Sequence, residues 1–245
     1  MKGTYILCAA AVFALSAPAQ EAGQKTFTSA ADASNALVHS VQTNNEQALE
    51  AVLGKGVISA DKEAARLERH QFAEKYDQMH RLIQEPNGAM VLYVGAENWP
   101  FPVPLVSNNG KWFFDSEAGK EEIQYRKVGE DEITAMEICE RFEAAKKQRV
   151  RKVSTDGDPL TQTAETLAAG SPASEETYSG YVFRVVGNGG NVVLVAYPEE
   201  YRISGVTTFI LTNDGKVYQK DLGNGTEQAA AQLKALPASG WQAVH

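Results

Sequence analysis

The chain has 245 residues, with 31 Asp and Glu against 23 Lys and Arg, for a formal net charge of -8 at pH 7. An acidic surface repels phosphate backbones, which argues against general nucleic-acid binding. The length suits one large or two small domains with a sizeable core. Two cysteines, Cys8 and Cys139, cannot form a disulfide framework, so that core must hold the fold.

The first 19 residues have the layout of a secretory signal peptide. Lys2 is a short positive region, Tyr5 to Leu15 an uncharged apolar run, and Ala17-Pro18-Ala19 supplies the small residues of a cleavage site after Ala19. The apolar run falls short of the roughly 20 residues that span a bilayer. No later stretch is apolar enough to do so. The expectation is an exported chain, periplasmic or extracellular, without a transmembrane segment once the leader is removed. Loss of Cys8 leaves Cys139 alone, which rules out an intramolecular disulfide.

Residues 20–150 read as an N-terminal α+β domain. Thr26 to Gly54 carries two short helices. Ser29 followed by Asp32 marks the first N-terminus, and Leu37 with Val41 forms an apolar pair on one face. Leu49, Val52 and Leu53 do the same on the second, with Gly54 at its end. Asp61 to Gln84 reads as one longer helix, because Phe72, Tyr76, Met79 and Ile83 keep a 3.6-residue period. Met90 to Val94 is a short strand.

The run Trp99 to Val106, WPFPVPLV, spaces Pro100, Pro102 and Pro104 two apart. Polyproline recognition motifs need a three-residue period. Two-residue spacing instead predicts an edge strand whose missing N–H groups all face one side. The other side would pair with Lys111 to Phe114 across an Asn109-Gly110 turn. A helix from Asp131 to about Val150 follows, its inner face outlined by Ile133, Met136, Cys139 or Glu140, and Phe142 or Glu143.

Residues 151–177 are polar and aperiodic and read as a linker, with a helical turn around Thr163 to Ala169. Residues 178–245 form a C-terminal sheet domain. Tyr181 to Val186, Val192 to Tyr197, Val206 to Leu211 and Lys216 to Lys220 are strand-like runs with short connections, hence an antiparallel meander. Thr226 is placed to cap a last helix that ends before Pro237, and Trp241 docks the tail against the sheet. The expected class is α+β: N-terminal helices packed on an antiparallel, cone-like sheet, then a C-terminal antiparallel β-meander with a terminal helix.

The chain has no G-x-S-x-G, H-E-x-x-H or C-x-x-C. That points away from an enzyme, with no catalytic residue, metal ligand or cofactor assigned. His70 with Glu74 is an i, i+4 surface pair. Cys139, among apolar neighbours, reads as a buried inert thiol. Gly187 to Gly190 precedes a strand and is a hairpin loop; Gly223-Asn224-Gly225-Thr226 is a turn and helix start without the lysine of a phosphate loop. The candidate binding residues are Trp99, Trp112, Tyr197 and Tyr201, with Lys220. The leading expectation is a non-enzymatic binding or scaffold protein contacting an envelope protein or polymer. The alternative is a small-ligand-binding or weakly catalytic cavity in the N-terminal domain, near His70, Glu74 or His80.

Three segments carry a resemblance: the W-P-F-P segment, Phe114 to Ile123 as F-D-x-x-A-G-x-E-E-I, and Ala196 to Gly223 with A-Y-P-x-E-Y, T-F-I and Y-Q-K-D-L-G. Through them the chain resembles a family of exported bacterial proteins known only as a domain of unknown function, of the DUF2950 type. The likeness covers nearly the whole chain after the leader. It implies export and no assigned catalytic residue. Family members usually carry a longer, Gly- and Trp-containing segment where Arg151 to Thr177 stands here. The order of residues 26–114 is similar to the start of the cone-shaped nuclear-transport-factor fold, and the later block to the sheet of pilin-like domains; neither analogy transfers function.

Overall fold

A computed structural model describes residues 20–59, 61–148, 153, 157–187, 190–237 and 239–244. The leader peptide expected at residues 1–19, the expected end of the Asp131 to Val150 helix after Gln148 and the tip of the glycine loop at 188–189 lie outside the described residues. Contacts among the described residues separate two compact units that divide between Glu122 and Ile123.

In the N-terminal unit, α1 (Ala30–Gln42) starts where the sequence places it, because the Ser29 hydroxyl accepts the Asp32 amide. Asn45 caps α2 (Glu46–Leu53) in the same way through the Ala48 amide. Such a cap is worth about 1 kcal/mol. Asp61 caps α3 (Lys62–Gln78) by accepting the Glu63 and Ala64 amides.

The continuous helix expected to Gln84 is corrected: α3 stops at Gln78, Met79 is extended, and His80–Gln84 is a strand, β1. It pairs antiparallel with β2 (Met90–Val94), from His80 opposite Val94 to Gln84 opposite Met90. The amide of Gly95 bonds the Lys75 and Met79 carbonyls at 3.0 and 2.9 Å, closing the helix end against the sheet.

WPFPVPLV is also corrected. It is two short strands, β3 (Trp99–Pro100) and β4 (Leu105–Asn108), and both pair with β2. The sheet order is β1-β2-β4-β5, with β5 spanning Lys111–Phe114, so β4 is internal. Tyr93 faces Pro100 and Met90 faces Leu105, so three steps along β2 are matched by five along the proline segment. The two extra residues form a bulge over 102–104. The expected pairing with Lys111 to Phe114 is present, with Leu105 opposite Phe114 and Val106 opposite Phe113, across a turn with Asn109 and Gly110 both at positive φ (51° and 74°). Leu37, Val52, Leu92, Val94, Val103, Leu105 and Phe114 make the centre of this unit's core. Full burial of such a Leu or Phe contributes about 1.5–3 kcal/mol.

Helix α4 (Ser116–Lys147) begins 15 residues before the expected Asp131, with the Asp115 carboxylate accepting the Ala118 amide. In the C-terminal unit its inner face is Asp131, Ala135, Ile138, Cys139 and Phe142, while Ile133 points outward at 55% exposure. Within 151–177 lies α5 (Pro159–Ala169), capped by Asp158 and started by Pro159, and it buries Ala164 and Leu167. Strands β7 (Tyr181–Val185), β8 (Val192–Pro198), β9 (Thr207–Thr212) and β10 (Val217–Asp221) form the expected antiparallel meander; it is extended by β6 (Glu175–Tyr178), most of which lies in the segment expected to be a linker, and by β11 (Gln242–Ala243). One sheet face packs Tyr181, Phe183, Leu194, Phe209 and Leu211 on α4 and α5 residues. The other packs Val195, Tyr197 and Ile210 beneath Ala230 of α6 (Thr226–Ala231), Leu233, Leu236 and Trp241. The architecture is α+β. Among the described residues no helix is long and apolar enough to cross a membrane.

Candidate functional site

Two clefts stand out, one in each unit. The C-terminal cleft depends on a loop after β8 that is fixed from several sides. The buried Ser204 hydroxyl accepts the Glu200 amide at 3.0 Å. Glu132 of α4 accepts the amides of Val206 and Thr207 at 2.9 and 3.0 Å. The Tyr181 hydroxyl donates to the Thr207 carbonyl at 2.8 Å, and burial pushes its pKa well above the ordinary phenol value. A Cβ at Gly205 would stand 2.2 Å from that hydroxyl, so only glycine fits there.

This loop presents Tyr201, whose hydroxyl donates to Asp221 at 3.1 Å. Asp221 lines a cleft of about 180 Å³ together with Thr207, Gln219, Lys220, Gly240 and Gln242. An ammonium, a carboxylate, two carboxamides and a hydroxyl converge there. That set can donate and accept hydrogen bonds but offers no nucleophile paired with a base.

The N-terminal cleft, about 300 Å³, lies between α2 and the start of α3. Its lining includes Glu46 and Glu50, one helical turn apart on α2, with Ser59, Lys62 and Ala65 opposite. Gly54 and Gly56, both at positive φ (90° and 73°), form the connecting wall. One turn beyond Ala65 on the same face of α3, Arg69 reaches the Glu46 carboxylate through Nη2 at 3.4 Å. The Arg69 side chain is only 10% exposed, yet its Nε and Nη1 are buried with no hydrogen-bond partner. Glu46 is 57% exposed.

The residues singled out from the sequence divide accordingly. Tyr201 and Lys220 come together around Asp221. Tyr197 is buried in the core under α6, and burial raises its pKa. Trp112 packs on the N-terminal core, and its backbone exchanges hydrogen bonds with Phe27 at 2.8 and 2.9 Å. Trp99 is the more exposed of the two N-terminal tryptophans and sits edge-on to Phe101. His70 and Glu74 are an exposed pair at 3.6 Å, and His80 stacks on Tyr76. Neither cleft is lined by these three. Cys139 is fully buried, its thiol pushed up to about 12 by burial and then by Glu140. Among the described residues no group of three or more His, Cys, Asp or Glu side chains is placed to hold a metal ion.

No sequence motif marks Glu46, Glu50, Lys62 or Arg69. A signal existed in the α3 stripe, since extending Phe72 and Tyr76 backward puts an arginine on the apolar face.

These features define a two-unit α+β protein with polar clefts of mixed charge. The model of the family described as "Protein of unknown function (DUF2950)" matches residues 24–174 and 188–244, and the chain belongs to that family. Neither the curated proteins nor the solved structures gave a match to the chain.

Proposed function

We propose that this is a non-enzymatic binding protein of the cell envelope, exported by its N-terminal leader, which holds a polar partner at the Tyr201–Lys220–Asp221 cleft. The observation that carries this reading is the convergence of hydrogen-bonding side chains on a sheet edge braced by the fixed loop. Preorganised groups lose little freedom on binding, which favours recognition. The test is site-specific photo-crosslinking in cells, from Gln242 in the cleft and from Lys216 on the far end of β10's connection. A discrete product from position 242 that disappears with Lys220→Glu supports the reading. The same products from both positions, or none from 242, overturn it. A second reading, small-ligand binding in the N-terminal unit, is favoured by the larger cleft beside Arg69 rather than by His70, Glu74 or His80.

A further inference from the structure

The Arg69 guanidinium is nine-tenths buried, directs Nη2 at a carboxylate in the cleft wall, and leaves two donors without partners. Buried donors in proteins are almost always satisfied, and those that are not call for an explanation such as an unplaced ion or ligand. The single contact to Glu46 is long, and Glu46 is half in solvent, so the pair is easily exchanged. Arginine's fork suits a planar carboxylate, which it grips with two parallel bonds.

The wall opposite Lys62 carries the reverse charge. Glu46 and Glu50 both border the cleft, and both project into solvent. A ligand carrying only negative charge would meet their repulsion, and one carrying only positive charge would leave Arg69 and Lys62 unanswered. A ligand with both charges satisfies each wall.

We propose that the N-terminal cleft binds a small zwitterion of the amino-acid or short-peptide class. Its carboxylate takes the place of Glu46 on Arg69, assisted by Lys62. The released Glu46 joins Glu50 in holding the ligand's ammonium. Gly54 and Gly56 form the connecting wall and add no side chain to it. The volume, about 300 Å³, is at the small end of ligand pockets and suits a dipeptide.

This inference rests on reading the N-terminal cleft as a ligand site, and the experiment separates the two. Binding of L-alanyl-L-alanine to the purified protein is measured by calorimetry, beside acetate and methylammonium as single-charge halves. The expected result is dipeptide binding at roughly millimolar affinity or better, with the halves at least about tenfold weaker. Glu50→Gln should weaken the dipeptide about tenfold with the melting temperature unchanged, and Arg69→Met should abolish binding in a folded protein. If Arg69→Met fails to fold, Glu50→Gln decides alone. Acetate or methylammonium binding as tightly as the dipeptide, or no effect of Glu50→Gln, overturns the zwitterion while leaving a ligand site. No binding by any of the three overturns both.

Discussion

Replacing Arg69 by methionine should make the free protein more stable. In the native state Nε and Nη1 are desolvated without partners, and a buried orphaned donor costs about 1–3 kcal/mol. What the variant loses is small by comparison. The Nη2–Glu46 contact is 3.4 Å long with a carboxylate that is 57% exposed, and pairs of that kind contribute about 0–1 kcal/mol. Methionine retains most of the apolar stem between Ala65 and Phe72, so little packing is lost. The net expectation is a gain of about 1–3 kcal/mol, because two orphaned donors outweigh one loose ion pair. For a chain of this length each kcal/mol raises the melting temperature by roughly 2–4 °C. Urea unfolding followed by tryptophan fluorescence measures it well, since Trp99 and Trp112 both report on the N-terminal unit. A methionine variant less stable than the parent would refute the reasoning and place an unseen stabilising partner on Arg69. A dipeptide that raises the parent's midpoint and not the variant's would tie the orphaned donors to ligand binding.

Three further outcomes follow from the remaining contacts. The Glu21 carboxylate accepts the Lys55 amide, the Ser116 hydroxyl and the Lys120 ammonium, which hold its pKa below the ordinary glutamate value. A depressed folded pKa means the contribution is complete above that ordinary value and is lost as pH falls through the folded one. The urea midpoint of the parent should therefore drop across that acid window, and Glu21→Gln should flatten the drop; an unchanged pH profile would sink the assignment. Gly205→Ala should cost about 1–3 kcal/mol by driving a methyl into the Tyr181 ring, read as a fall in urea midpoint, and an unaffected midpoint would contradict it. Asp131→Ala should cost a similar amount, about 1–3 kcal/mol, because the buried carboxylate accepts the Ser179 hydroxyl at 2.6 Å and the Lys127 ammonium at 2.7 Å. Thermal melting of that variant no lower than the parent's would show the node to be dispensable.

Where one signal acted alone, the sequence was easy to read. Ser29 with Asp32 marked α1, Asn109-Gly110 marked the N-terminal hairpin, and β-branched runs between glycine and asparagine turns marked the C-terminal meander. Pattern and fold part where two periods overlap. Phe72, Tyr76, Met79 and Ile83 keep helical spacing across a boundary that β1's pairing with β2 imposes, a tertiary choice that local spacing does not record. The first half of α4 was hidden because Glu117, Lys120, Lys127 and their neighbours stabilise it by caps and ion pairs rather than by an apolar stripe. The clefts were less legible still. Tyr201 and Lys220 stand out in the sequence as an aromatic and a cation, but Asp221, which lies between them, belongs to no motif. Arg69 and Asp131 share a different kind of signal: each is a charged residue in step with an apolar helix face, and each is a buried polar node. Asp131 is satisfied by its neighbours, whereas Arg69 is not. That difference separates a structural node from a candidate binding group.

The proline segment shows why such distinctions need the packing and not only the pattern. In a continuous edge strand, Pro100, Pro102 and Pro104 would all withhold N–H groups from one side. In the fold, only Pro100 lies in a ladder, and the neighbouring Phe101 amide supplies the bond to the Leu92 carbonyl at 2.7 Å. Pro102 and Pro104 sit in the bulge, where no donor is needed, and the Pro104 carbonyl accepts the Asp115 amide at 2.8 Å beside the start of α4. Val103 between them is driven into the core against Gly119, where a Cβ would approach its methyls to 2.8 and 2.9 Å. The prolines therefore fix a bend that buries a valine under the first turn of α4. An exposed edge needs no such bend, and a recognition motif would not bury its central residue. Their two-residue spacing reflects one buried side chain flanked by two positions that must not pair.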